Sequence, residues 1–313
     1  MCGDNKIAVQ MKAWLSLLRF PNLFTVPGDA IFGYLVAKGD TGSANLIYVV
    51  GAVLSCYMFG LVTNDIADME TDLKERPSRP IPSGQVSPVA ARFAAMLLFI
   101  VAIGLSVPCG IKTAIGCVIL LALISSYNFM FKNVFIIGPA ILAICRLLGL
   151  MLGLFAANSI ELTSSLLYPM MIFLTLYVFG LSVSAQVETE EGRKRTVLSG
   201  AWLIMIGSVL WIGAGVFLST KVDLISVMDE ITPSILFAII LSSVVCLITL
   251  KNLVMLHMKY SPSMVPPIIG ESIRNLILIQ ASACAFAGFL NESFLVALLI
   301  VPAWFFSQMY YQS

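Results

Sequence analysis

ANLIYVVGAVLSCYMFGLVT, residues 44–63, runs without a break into NDIADMETD, residues 64–72. The first part carries no charge and has the length of about twenty residues that an α-helix needs to cross a bilayer. The second part packs carboxylates closely. On a helix Asn64, Asp68 and Asp72 are spaced four apart and line one face, with Asp65 beside Asp68. Like charges on one face repel unless something cationic sits among them. A hard divalent ion such as Mg2+ takes oxygen ligands, commonly one or two carboxylates plus the phosphates of a substrate. The segment therefore reads as a metal–phosphate site at a membrane surface. The competing reading is a solvated acidic face between two spans.

Working outward, the whole chain has the character of its residues 44–63. It is 59% hydrophobic and only 11% charged, with a mean hydropathy of +0.97, outside the range of soluble domains. Apolar runs long enough to span recur near 19–37, 44–63, 88–108, 112–131, 134–156, 165–186, 197–219, 232–254, 272–290 and 294–310. That predicts an all-α fold, a polytopic transmembrane bundle of nine to ten spans forming a single domain over residues 1–313. The smaller number applies if the last two runs, separated only by Asn291-Glu292-Ser293, are one broken element.

The net charge of +1 says nothing about partners, and no nucleic-acid partner is expected. The distribution of charge says more. With the N-terminus inside, Lys6, Lys12, Arg19, Lys74, Arg76, Arg79, Lys132, Arg193, Lys194, Arg195, Lys259 and Arg274 share one side, against Lys38, Lys112 and Lys221 on the other. The positive-inside rule then makes the Asp-rich loop cytoplasmic, and the expected location is a bacterial inner membrane. No cleavage-site pattern follows the first charged residues, so no removable signal peptide is expected. The seven cysteines lack metal-type spacing, and most fall inside spans as small apolar fillers. A solitary His257 gives no zinc site.

Two cytoplasmic loops stand out, roughly 64–87 and 185–196. Each follows an even-numbered span and runs acidic first, basic second. The first continues through Arg76 to Arg79-Pro80-Ile81-Pro82-Ser83-Gly84, a stiff turn suited to pinning a guanidinium; the second holds Glu188, Glu190 and Glu191 before Arg193, Lys194 and Arg195. Acid then base is what a diphosphate site needs: carboxylates for the metal, Arg or Lys for the remaining phosphate charge. The repeated order suggests two similar half-bundles presenting their loops to one cavity. The plainer reading of the basic residues is that they only set topology.

Ionisable groups inside a bilayer usually face a cavity or a partner. Arg146 sits mid-span and requires an anion nearby; its plainer reading is a structural pair with a buried carboxylate. Lys132 lies at a cytoplasmic boundary after Tyr127-Asn128 and could reach the same cavity. Asp29 stands two residues after Pro27, where a bend is expected, and Asn22 precedes it near the cytoplasmic end.

Together these residues resemble the UbiA superfamily of intramembrane prenyltransferases. Arg19-Phe20-Pro21-Asn22-Leu23 is similar to the opening of that family. Asn64-Asp65-x-x-Asp68-x-x-x-Asp72 with Arg79-Pro80-Ile81-Pro82-Ser83-Gly84 resembles its first diphosphate–metal motif, and Tyr127-Asn128-x-x-x-Lys132 its tyrosine–lysine element. The second motif departs from the family: where aspartates stand in relatives, this chain has Ser184 and Glu188. Glu still offers an oxygen ligand, Ser only a weak neutral one, which leaves open one metal or two. That departure, with Cys145-Arg146-Leu147 and residues 23–29, is similar to the UbiA-like EboC branch, associated with making or moving a secondary metabolite.

The resemblance implies a helical bundle around a cavity open sideways to lipid and capped by the two polar loops. It also implies Mg2+ on Asn64, Asp65, Asp68, Asp72 and Glu188, gripping an isoprenyl diphosphate. Asn22, Arg76, Arg79, Lys132, Arg146, Arg193 and Lys194 would bind substrate, and Tyr127 would face the allylic cation formed as diphosphate leaves. The acceptor, an aromatic or other lipid-soluble nucleophile, then attacks. The alternatives are a carrier or transporter of an isoprenoid or secondary metabolite that kept the grip without the chemistry, and an assembly factor with a dead site.

Overall fold

The computed structural model describes residues 2–37, 41–157, 165–187, 193–220 and 232–310, which are helical with no strand among them. Helix starts follow local chemistry. Ser87 accepts a hydrogen bond from the Ala90 amide at 3.1 Å, with Pro88 in the first helical position. Thr232 and Pro233 repeat the device, Thr232 accepting from the Ile235 amide at 3.3 Å. In both, the side chain satisfies an orphan donor and the proline supplies none.

Helices α1 (Cys2–Leu17) and α2 (Phe20–Leu23) lead into α3 (Pro27–Val36), so the run expected at 19–37 is two helices with a break ahead of Pro27. The acidic segment ends α4 (Ala44–Ala67) and makes α5 (Met69–Glu75). Next come α6 (Pro88–Ser106), α7 (Ile111–Ser126), α8 (Ile137–Ala156), α9 (Leu167–Gln186), α10 (Lys194–Thr220) and α11 (Pro233–Met258). The chain finishes with α12 (Val265–Phe286), α13 (Leu290–Leu298) and α14 (Ile300–Tyr310). Eight segments among the described residues are long and apolar enough to cross a membrane, the last being Leu290–Met309. The chain is an integral membrane protein. The two remaining elements of the expected set are α3, with 10 residues, and α12, which carries Glu271, Arg274, Asn275 and Gln280 and is buried along most of its length. A helix surrounded by protein need not be apolar on every side. The turn between α12 and α13 lies at Gly288, with φ 92°, rather than at residues 291–293.

Two hydrophobic cores are present. One joins α1, α3, α4, α6, α7 and α8; the other joins α3, α8, α9, α10, α11 and α12. They meet along the crossing of α3 and α8, where backbones touch: a Cβ on Gly33 would strike the Leu150 carbonyl, and one on Gly153 the Ala30 carbonyl. Small residues permit such approach between helices in lipid, where packing rather than water exclusion drives association. Outer faces remain apolar, as with Val89, Phe93, Met96 and Ile100 on α6, each more than half exposed. A continuous surface of this kind suits hydrocarbon, not water.

Candidate active site

A cavity of about 290 Å³ lies where the two half-bundles meet. Its walls come from α3, α4, α7, α8, α9 and α12, and most of its lining is apolar. Arg19, Asn64 and Tyr127 mark the end beside the acidic segment, and Asp29 and Arg146 lie on the wall built by α3 and α8.

At the acidic end the carboxylates gather cations. Arg79 donates to Asp72 at 2.6 Å and stands 3.8 Å from Asp65; Arg19 lies 3.7 Å from the same Asp65. Lys132 pairs with Asp68 and donates to Asn64 Oδ1 at 2.9 Å. Asn64 ties the halves together, donating to Asp68 at 3.2 Å and to Asp65 at 3.4 Å. The single face expected for residues 64, 68 and 72 is thus divided: Asn64 and Asp68 keep one side, while Asp72 turns to Asp65. Seven residues complete about two helical turns, whereas eight overshoot by most of a quarter turn, and the helix is interrupted at Asp68. Among the described residues, no three His, Cys, Asp or Glu side chains converge on one metal-sized centre.

Local structure explains the aim of each cation. Arg19 holds the left-handed conformation, φ 43° and ψ 53°, between α1 and α2; such backbone is costly outside glycine and concentrates at functional sites. The Arg79 turn is fixed by Ser83 N–H on Arg79 O at 2.9 Å and by Val86 N–H on Pro80 O at 2.9 Å. Ile81 and Val86 are buried in the first core, so the turn is nailed down on both sides of its polar tip. Lys132 follows a π-turn over Tyr127–Phe131, closed by Lys132 N–H on Tyr127 O at 2.9 Å. One wide turn of this kind re-aims the side chains around it and is frequent at functional sites. Here Asn128 meets α4 through Gly60 O at 2.9 Å and Thr63 Oγ1 at 2.7 Å, while Tyr127 faces the cavity.

Other expected residues lie elsewhere. Asn22 is buried in α2, its carbonyl taking the Thr25 hydroxyl at 2.8 Å. Arg76 ends α5, exposed to solvent. Lys194 donates to the His257 carbonyl at 2.9 Å, closing the C-terminal end of α11 rather than facing the cavity. Arg193 is exposed at the start of α10; Glu188 lies outside the described residues. Ser184 donates to Gly180 O at 3.1 Å and Val197 O at 3.3 Å, so this position is spent on the contact of α9 with α10. Arg146 has the anion it requires: its Nε meets Asp29, and its Nη2 donates to Thr25 O.

Three contributors escaped the sequence reading. Arg19 enters the sequence reading as a topology charge and as the first residue of the family-like Arg-Phe-Pro-Asn opening, with no role given to it at the site. Gln186, at the end of α9, donates to Lys132 O at 3.1 Å and brings the start of the second loop beside Lys132. Gln280 reaches Thr25 O at 2.8 Å from α12. Nothing in the spacing of either glutamine announces its partner.

Residues 29–199, more than half of the chain, match the UbiA prenyltransferase family. The chain belongs to that family. Relatives within and around it include the digeranylgeranylglyceryl phosphate synthase of Sulfolobus acidocaldarius, 27% identical over 67% of this chain and 75% of that enzyme. The synthase of Saccharolobus solfataricus is 27% identical over 57% of this chain, which spans only 62% of that protein. The fold agrees with solved UbiA-type structures. A digeranylgeranylglyceryl phosphate synthase structure covers 90% of this chain and is itself covered to 99%, with TM-score 0.59 and 20% identity. A UbiA homolog from Archaeoglobus fulgidus, solved with GPP and Mg2+, covers 91% and is covered to 99%, with TM-score 0.57 and 12% identity. These likenesses are to the UbiA family at large; the EboC likeness stays an expectation of the sequence.

Proposed function

We propose that this UbiA-family chain is a Mg2+-dependent intramembrane prenyltransferase that moves an isoprenyl group from an isoprenyl diphosphate to a lipid-soluble acceptor, with its polar loops on the cytoplasmic side. The observation that carries this reading is the junction of two unlike surroundings. Three carboxylates, Arg19, Arg79 and Lys132 gather at one end of a largely apolar cavity within the bundle. That combination suits a charged head joined to a hydrocarbon tail.

The donor set fits Mg2+. Asn64, Asp65, Asp68 and Asp72 offer only hard oxygen ligands, and Mg2+ is commonly held by one or two carboxylates with substrate phosphates supplying the rest. That mode needs no three-carboxylate cage, and none is formed among the described residues. Asp65 with Asp72, or Asp68 with Asn64, would hold the ion, which when bound offsets phosphate charge and polarises the leaving group.

The chain's own residues do the remainder. Arg79 and Lys132, already fixed beside the carboxylates, present N–H groups to phosphate oxygens, as does Arg19 from the mouth of the cavity. Such preset donors stabilise the charge that grows on diphosphate as the C1–O bond breaks, without having to reorganise. Tyr127 presents an aromatic face on the cavity side of Lys132, where an allylic cation gains from ring electrons. The apolar lining excludes water that would otherwise capture that cation. An acceptor nucleophile then bonds to C1 and releases a proton.

A carrier reading is favoured by one observation, the burial of Ser184 in the α9–α10 contact, at the position where the family resemblance implies an aspartate. The two are separated by giving purified protein a radiolabelled allylic diphosphate with Mg2+ and an acceptor mixture. Prenyl transfer with diphosphate release supports the enzyme; binding without release supports carriage. A double variant, Asp68→Ala with Asp72→Asn, that transferred at the parental rate would sink the transferase mechanism.

A further inference from the structure

The Asp29–Arg146 pair lies on the cavity wall built by α3 and α8, apart from the cations paired with Asp65, Asp68 and Asp72, and its surroundings are unusual. Asp29 is 1% exposed and lines the cavity. One carboxylate oxygen meets Arg146; the other, Oδ1, has no hydrogen-bond partner among the described residues. Gln280, fully buried on α12, donates to Thr25 O at 2.8 Å, and its own Oε1 is likewise unpartnered. Arg146 donates to the same Thr25 carbonyl, exposed by the break between α2 and α3. Gly28 makes room, since a Cβ there would collide with the Gln280 amide.

An unpaired buried acceptor is costly, because it has given up its water and gained no partner. Two around one carbonyl, one of them on a residue facing a cavity, call for a ligand that donates hydrogen bonds. Charge narrows the class. The guanidinium, its Nε turned to Asp29, offsets the carboxylate, so the patch is close to neutral; the open valence on the cavity wall is the Asp29 acceptor, with Gln280 Oε1 behind it against Gly28. A phosphate brings further negative charge and further acceptors toward them. A hydroxyl brings a donor and adds no charge. Given the prenyltransferase reading above, on which this rests, we infer that Asp29, Arg146 and Gln280 form the head-group subsite for the prenyl acceptor, and that this acceptor carries a neutral hydroxyl.

The test uses three probes of one shape: 4-hexylphenol, its methyl ether 4-hexylanisole, and 4-hexylphenyl phosphate. Binding to the purified full chain is measured by equilibrium dialysis against empty micelles, with no diphosphate present. The parent is expected to hold the phenol at least about tenfold tighter than the ether, because a site built to hydrogen-bond a hydroxyl rejects the analogue lacking it. The phosphate is expected to bind more weakly than the phenol. In Asp29→Asn the amide oxygen keeps Arg146 and the N–H turns outward, so the preference for phenol over ether should fall below about threefold. Should that variant lose its monodisperse fold, Asp29→Asn with Arg146→Gln leaves no buried charge unpaired and is read in the same way. Equal binding of phenol and ether by the parent, tighter binding of the phosphate, or undiminished preference in a folded variant overturns the subsite. Geranyl diphosphate binding with Mg2+, measured in parallel, tests the underlying reading. Its absence beside an intact phenol preference sinks the transferase and leaves a hydroxyl site; its presence without that preference sinks the subsite alone.

Discussion

Replacing Arg79 by Met removes the one cation among the described residues that Asp65 and Asp72 share, at 3.8 Å and 2.6 Å, and leaves the apolar stem in place. The two carboxylate side chains are only 8% and 6% exposed, while Arg79 is 23% exposed. Removing one partner of a buried ion pair costs roughly 3–5 kcal/mol, because an uncompensated charge stays behind. Partial exposure of Arg79 and the neighbouring Arg19 soften that, so about 2–3 kcal/mol is the expected loss. Mg2+ should return much of it, since a cation bound only by the folded chain stabilises by about 2.7 kcal/mol at a hundred times its dissociation constant. Thermal unfolding in detergent, with and without MgCl2, reads both effects, and Lys74→Met on the exposed side of α5 is the control. The Arg79→Met midpoint should fall by several degrees and recover more with Mg2+ than the parent gains. With substrate, kcat/KM for geranyl diphosphate should drop about 10²–10³-fold, the usual cost of deleting one preset donor to a developing charge. An Arg79→Met protein as stable as the Lys74 control, or one gaining no more from Mg2+ than the parent does, would refute the placement of a cation site at Asp65 and Asp72.

Asp72→Asn keeps the shape of the side chain but removes a metal ligand, and turnover should fall at least about a hundredfold with the fold intact by circular dichroism. Gly153→Ala sets a methyl group against the Ala30 carbonyl at the α3–α8 crossing; unfolding should show a loss of about 1–3 kcal/mol. Ser184→Asp, which restores the aspartate of the family motif, points a carboxylate at the Gly180 and Val197 carbonyls. It should lower stability without raising prenyl transfer, and an active, fully stable variant would show that this position can face the cavity after all.

Much of the fold was legible because lipid imposes one rule on every outward-facing helix: a long apolar run. Residues 44–63 and 88–108 obey it and were placed within a few residues of α4 and α6. The rule fails where protein replaces lipid. Helix α12 begins at Val265, seven residues ahead of its expected start at 272, because Glu271 near its beginning is paired with Lys251 and Asn252 of α11 and this turn needs no apolar run. Its real punctuation is Pro262, Pro266 and Pro267 at one end and Gly288 at the other.

The candidate site divides along the same line. Its residue types and their neighbourhood could be read because the acidic run, the Arg-Pro turn and Lys132 flank spans whose order is fixed by hydropathy. Who pairs with whom could not. Asp29 and Arg146 were each singled out, one near a bend and one needing an anion, yet their union depends on α3 and α8 crossing closely enough for Gly33 and Gly153 to touch backbone. Likewise Lys132 reaches Asp68 by way of a π-turn that no periodicity announces, and Asp65 and Asp72 are joined through Arg79, which arrives on a turn beyond α5. Each pairing is decided by a backbone irregularity or a close crossing. A site whose charges are drawn from separate elements owes its geometry to those departures from regularity, so the same residues without the Arg79 turn and the α3–α8 crossing would leave Asp65 and Asp72 without a common cation and Arg146 without its carboxylate.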